Sequence, residues 1–174
     1  MEHLLERRSC RAFQPTTITQ KQIDQIVLAG MSAPSSFGKY PVHFLTVTDK
    51  KDLEFLSTLN EYSTFTKDAA CVVIICVDQK AALDYGHQET FATIDGGVAL
   101  QNILTASKIQ GFDVVCCGTY PMENLMGPIR KHFGIPDDIS VFNRVVIGKK
   151  SDNFKYDADY DNKYDAKKQH TGKW

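Results

Sequence analysis

Three arginines fall within five positions near the start of this chain, Arg7, Arg8 and Arg11, with Ser9 and Cys10 between them and Phe13 just beyond. Fixed positive charge beside a serine hydroxyl is the chemistry of anion binding. A guanidinium fork matches a carboxylate or a phosphate, and the hydroxyl adds a neutral donor. A second stretch, SAPSSFGKYPVHF at residues 32–44, gathers Pro34, Ser35, Ser36, Gly38 and Pro41 into a turn-rich loop. Small hydroxyls and uncommitted backbone amides in such a loop come close to a ligand. Each stretch alone has an ordinary reading, since arginine clusters often line solvated helix faces and a Pro-Ser-Ser turn is often only a turn.

The other reactive side chains form no comparable pattern. The five histidines show no metal-ligand spacing, so no metal is expected, and neither a Ser-His-Asp arrangement nor a pair of carboxylates stands out. His87 and His132 read as surface or packing residues, and Asp95, inside an apolar helical stretch, reads as a satisfied buried carboxylate. Cys10, Cys71, Cys76, Cys116 and Cys117 are odd in number and lack CxxC spacing, which makes them reduced core thiols. The formal net charge is -1, so the arginines are a local cluster in a neutral protein, and a nucleic-acid partner is not expected. The longest apolar run, AACVVIICV at 69–77, is too short to span a bilayer. The first residues lack the apolar core of a secretory signal, and the expected location is the cytoplasm.

The elements that must position these residues alternate along a chain of single-domain length, 174 residues. Thr19 caps a helix over 19–31 that sets Ile23, Ile26, Val27 and Gly30 on one face. A strand at 43–49 is followed by a helix at 50–59. The β-branched run at 71–77, apolar on both faces, predicts a central strand. A long helical stretch from Gln88 to Ile109 is apolar nearly all round, as deep burial or a subunit interface requires. Strand 113–118, helix 122–134 and strand 140–148 complete the core. This order gives an α/β or α+β class with a sheet of four or five strands. Beyond Gly148 the apolar period ends. Residues 149–174 are polar yet carry tyrosines, Phe154 and Trp174, the composition of an arm that wraps over another surface.

Taken in order, RRSCRAF at 7–13, APSSFGKYP at 33–41, TIDGGVALQNILTASKIQGFDVVCCG at 93–118 and the pair VVIGKK and NKYDAKKQHTGKW near the end resemble the nitroreductase family of flavin mononucleotide (FMN) enzymes. The resemblance covers essentially the whole chain. It implies an α+β fold: a central, mostly antiparallel sheet of four or five strands flanked by helices. It also implies a core of residues 1–148, an arm of residues 149–174 exchanged with a partner subunit, and a homodimer holding two FMN groups at its boundary. On that basis Arg7, Ser9 and Lys163 bind the FMN phosphate, Arg8 lies near the ribityl chain and pyrimidine edge, and Arg11 sits beside N1 and O2, where it stabilises the reduced flavin. Cys117 and Gly118 join them. Pro34, Ser35, Ser36 and Gly38 contribute from the loop, the first three reaching the flavin of the other subunit. Gly38, Tyr40 and Val42 stand where the family carries Asn, Gln and Trp, which leaves the serines and the backbone to hold the flavin edge. Lys163 stands where arginine is frequent and meets a phosphate as a point charge.

The activity implied is electron transfer from NAD(P)H through FMN to a small-molecule acceptor such as a nitroaromatic, a quinone or a free flavin. Other readings are a non-catalytic flavin-binding or redox-sensing module, atypical family chemistry such as flavin breakdown or dehalogenation, and an interaction domain without flavin.

Overall fold

Two strands rich in Val and Ile occupy the middle of the molecule because both of their faces are covered. The computed structural model describes residues 2–81, 90–156 and 164–174. Strand β3, Cys71–Asp78, is buried from Cys71 to Val77, and strand β5, Ile139–Lys150, is buried from Asn143 to Gly148. They pair antiparallel, Val73 opposite Val145, with one irregularity between Ile75 and Cys76. Strand β2, Val42–Val47, lies on the other side of β3, and strand β4, Asp113–Gly118, on β5, both antiparallel. A two-residue strand β1, Phe13–Gln14, pairs with Lys150 and Lys149 at the far end of β5. The sheet is therefore five-stranded and antiparallel throughout, in the order β2-β3-β5-β4 with β1 at the end of β5.

The two-residue period of a strand sorts the core into two layers. On one face Cys71, Val73, Ile75, Val145 and Ile147 meet Ile23 and Ile26 of helix α2, Gln20–Met31, and Ile103 and Leu104 of helix α4, Thr90–Ile109. On the other, Val72, Ile74, Cys76, Val141 and Val146 meet Leu53 and Leu56 of helix α3, Lys50–Ser57, and Met126 and Ile129 of helix α5, Glu123–Phe133. Each fully buried Leu, Ile or Val contributes about 1.5–3 kcal/mol, so these two layers dominate the stability.

Local signals fix the helix ends. Thr19 forms a reciprocal cap with Gln22 at the start of α2, Asp49 accepts from Lys51 N (2.8 Å) at the start of α3, and Gly134, in the left-handed region at φ 65, closes α5. Gly30 lets α2 approach the sheet: a Cβ there would lie 2.7 Å from Ile103 Cδ1 and 2.8 Å from the Phe44 ring.

The structure extends the sequence reading in several places. β5 continues to Lys150 because Lys149 and Lys150 gain β1 as a partner. A short helix α1, Glu2–Glu6, and a 3-10 segment, Glu61–Asp68, have no strong apolar period and were not expected. α4 is observed from Thr90, and the residues before it, including His87, lie outside the described set. After β5 the chain first folds back on the core, where Tyr156 OH donates to Asp113 Oδ1 (3.3 Å) and packs edge-on against Phe154. Residues 164–174 are exposed, and the Trp174 ring stacks on His170. Among the described residues no helix is long and apolar enough to cross a membrane.

Candidate functional site

The arginine cluster is held on a rail. The Ser9 backbone runs parallel to Val114 of β4, Cys10 N–H donates to Val114 O (3.0 Å), and the Cys10 side chain is fully buried. Three residues later Phe13 enters the core in the space that Gly148 leaves open, since a Cβ on Gly148 would stand 2.6 Å from the Phe13 ring. Arg7, Arg8 and Ser9 are half-buried along this path, while Arg11 is exposed. Arg8 is turned back on α1, its Nη1 donating to Leu5 O and, at 3.4 Å, to Arg7 O.

Arg11 reaches a cleft of about 330 Å³ at the C-terminal end of β4. Cys116, Cys117 and Gly118 form one wall, Asn60, Tyr62 and Ser63 another, and Arg144 of β5 belongs to the lining. Among the described residues no carboxylate lines it. Arg144 is 1 % exposed; its Nε donates to Thr119 Oγ1 and its Nη1 to Leu56 O, both at 3.3 Å. Among the described residues no acidic side chain pairs with it. Burial pulls the Arg144 pKa below its usual value, as expected when a cation leaves water. Burial pushes the Cys117 thiol up, and the positive charges of Arg144 and Arg11 offset part of that rise.

The cysteine reading needs a correction here. Cys10, Cys71 and Cys76 are buried thiols, but Cys116 is exposed and Cys117 only half-buried, because β4 reaches the surface at its end and its final residues line the cleft. No disulfide joins any of the five. Among the described residues no group of three His, Cys, Asp or Glu side chains is placed to hold a metal.

The serine loop lies elsewhere. Pro34, Ser35 and Ser36 pack against α4, the helix on the opposite face of the sheet from the Arg144 cleft. Asp95, 4 % exposed within α4, fixes their conformation. Its Oδ2 accepts from Ser35 Oγ (2.7 Å), its Oδ1 from Ser36 Oγ (2.8 Å), and both oxygens accept from Ser36 N (3.0 Å). Ser35 Oγ in turn accepts from Tyr40 N (2.8 Å). This network holds a backbone with three positive φ values, Phe37 at 54, Gly38 at 64 and Tyr40 at 49. Only at Gly38 is that conformation free of side-chain strain. Phe37 meets Phe91 edge-on at 5.5 Å. The serine hydroxyls thus point into the protein.

Within one chain, then, the structure brings together Arg11, Cys117 and Gly118, places Arg7, Arg8 and Ser9 along the neighbouring edge, and keeps Pro34, Ser35, Ser36 and Gly38 apart from them. Lys163 lies outside the described residues. Asp95 fills the satisfied, buried role expected of it, but its role as anchor of the loop was not foreseen. Arg144 was missed, although an arginine inside the apolar run VFNRVVIG is a visible signal.

A family model described as "Nitroreductase family" matches residues 4–64. A protein of Methanothermobacter thermautotrophicus described as "Putative NADH dehydrogenase/NAD(P)H nitroreductase" is 32% identical over 153 residues, 88% of this chain and 78% of its own. An FMN reductase [NAD(P)H] of Bacillus subtilis is 26% identical over 169 residues, 87% of this chain and 66% of its own. The crystal structure of a Parabacteroides distasonis protein, described in the same terms as the first, is similar with a TM-score of 0.87 at 26% identity, covering 99% of this chain and 97% of that one.

Proposed function

Because this chain belongs to the nitroreductase family, we propose that it is a homodimeric FMN-dependent oxidoreductase that carries electrons from NADH or NADPH to a small-molecule acceptor of the nitroaromatic, quinone or flavin class. One observation carries the reading: among the described residues the cleft is lined by two guanidinium groups and no carboxylate, and the buried guanidinium has no acidic side chain paired with it. Such a cleft suits a group that is anionic or becomes so. When bound, FMN supplies the redox chemistry, accepting two electrons at its ring and passing them on.

The residues of this chain do the rest. Ser9, bridged to β4, and Arg7, two residues before it, would meet the phosphate, where a charge-assisted hydrogen bond is worth about 1.5–3 kcal/mol. Arg11 and Arg144 set a positive potential over the cleft. Cys117 and Gly118 offer backbone at its wall. No side chain is required to move a proton.

The separation of the two residue groups by the sheet supports a dimer, in which the serine loop of one subunit completes the cleft of the other. Leu28 and Met31 of α2, Phe37 and Tyr40 of the loop and Ile94 of α4 are exposed apolar side chains on that loop's side, suited to the shared surface. The exposed residues 164–174 fit the role of an exchanged arm.

The deciding experiment uses purified protein under argon. A yellow dimer whose flavin absorbance bleaches on adding NADH or NADPH, and returns on adding a quinone, is expected. A colourless protein that takes up no added FMN, or a yellow one that neither nucleotide bleaches, would refute the proposal.

A further inference from the structure

Arg144 is an expensive residue in a place that does not need it for packing. A guanidinium at 1 % exposure has lost its water, and its two protein partners, Thr119 Oγ1 and Leu56 O, are neutral oxygens at 3.3 Å. Breaking even with water under those conditions requires a nearby negative charge, and none of the described acidic side chains supplies one. A methionine of similar length would fill the same volume at lower cost. The side chain also lines the cleft that Arg11 reaches. The missing anion therefore belongs in the cleft.

The two cations are not equivalent. Arg11 is exposed, so water and salt screen its charge. Arg144 sits in the protein interior, where the same charge acts through a low dielectric and is held without reorganisation. We propose that Arg144 is a second, buried cation of the flavin-ring cleft, one that makes the protein bind reduced FMN more tightly than oxidised FMN. The inference rests on the functional reading above, in which the cleft receives the flavin ring. Two electrons and one proton, the equivalents a reduced nicotinamide gives up on becoming oxidised, leave one negative charge on the ring. That charge is the partner Arg144 lacks. The neutral oxidised ring gains far less from it.

The competing role is a strut that ties β5 to the end of α3 and to Thr119. Charge and shape separate under substitution. R144M keeps the length and removes the charge; R144Q is neutral but keeps a donor; R144K keeps the charge and loses the fork. The midpoint potential of the bound flavin and the dissociation constant of oxidised FMN are measured for each. R144M and R144Q should hold oxidised FMN about as well as the parent. They should bind reduced FMN at least tenfold less well relative to oxidised, a midpoint lower by about 30 mV for a two-electron couple. R144K should stay close to the parent. If R144M does not fold, R144Q carries the same neutralisation. Neutral variants with the parent's midpoint, or an R144K shift as large as that of R144Q, would overturn the inference while leaving the flavin reading intact. A parent protein that takes up no FMN would overturn both.

Discussion

Replacing Asp95 tests whether one buried carboxylate holds the serine loop in shape. Three donors converge on it, Ser35 Oγ, Ser36 Oγ and Ser36 N, in contacts of 2.7–3.0 Å. Hydrogen bonds to a charged group are worth about 1.5–3 kcal/mol each, but they do not add, because both hydroxyls rotate to other acceptors once the carboxylate is gone. The Ser36 amide cannot rotate, and it would be stranded beside an apolar hole. Asp95→Ala should therefore cost about 1–3 kcal/mol for that unsatisfied buried donor, with the lost packing of the side chain in addition. Asp95→Asn keeps the volume and one acceptor oxygen but turns an amide toward the serine donors, and should cost about 1–3 kcal/mol. Urea unfolding gives both values from the shift in midpoint at constant slope. Limited proteolysis within 34–40 reports the loop itself, whose three positive-φ residues should relax once released. An Asp95→Ala protein that loses less than about 1 kcal/mol and keeps its loop protected would show that these bonds do not hold the loop.

Gly30→Ala puts a methyl group 2.7 Å from Ile103 Cδ1 and 2.8 Å from Phe44, so α2 must shift and the protein should lose about 1–3 kcal/mol in the same assay; an unchanged midpoint would refute the close approach. Burial pushes the thiols of Cys71 and Cys76 up to about 12 and about 11 from the usual 9.0. The unfolded chain releases those protons near pH 9 while the folded protein keeps them. Their contribution is complete below pH 9 and falls as pH rises toward 11, by up to about 1.4 kcal/mol per pH unit for each thiol. Cys71→Ala should remove one thiol's share of that slope, and equal slopes for the variant and the parent between pH 9 and 11 would contradict the assignment.

The parts of the fold legible in the sequence were those written in local periodicity. CVVIICV could only be a strand covered on both faces, and Thr19 marked the start of α2 unaided. β1 was hidden because two residues become a strand only when Lys149 and Lys150, far away in sequence, arrive beside them. For the same reason the destination of the serine hydroxyls could not be read: their acceptor lies about sixty positions further on. The arginine cluster was legible as a local concentration of positive charge in a neutral chain. Arg144 was not, because strand alternation shows that a side chain faces inward without showing whether the interior there is packed or open. The cysteine pair failed on a similar point, since β4 is core at Val114 and Val115 and surface one residue later.

The rail that carries Arg11 has a consequence for how such a protein can change. Its backbone is clamped on both sides, by Cys10 N–H on Val114 O and by Ser151 N–H on Ala12 O, while its side chain stands in solvent. Position 11 is thus a socket: mutation can exchange what it presents, cation, amide or hydroxyl, without disturbing the frame that aims it. Arg144 is cast into the frame, where Thr119 Oγ1 and Leu56 O accept its hydrogen bonds. One charge can be exchanged by substitution at the surface, and the other only by remaking buried hydrogen bonds as well.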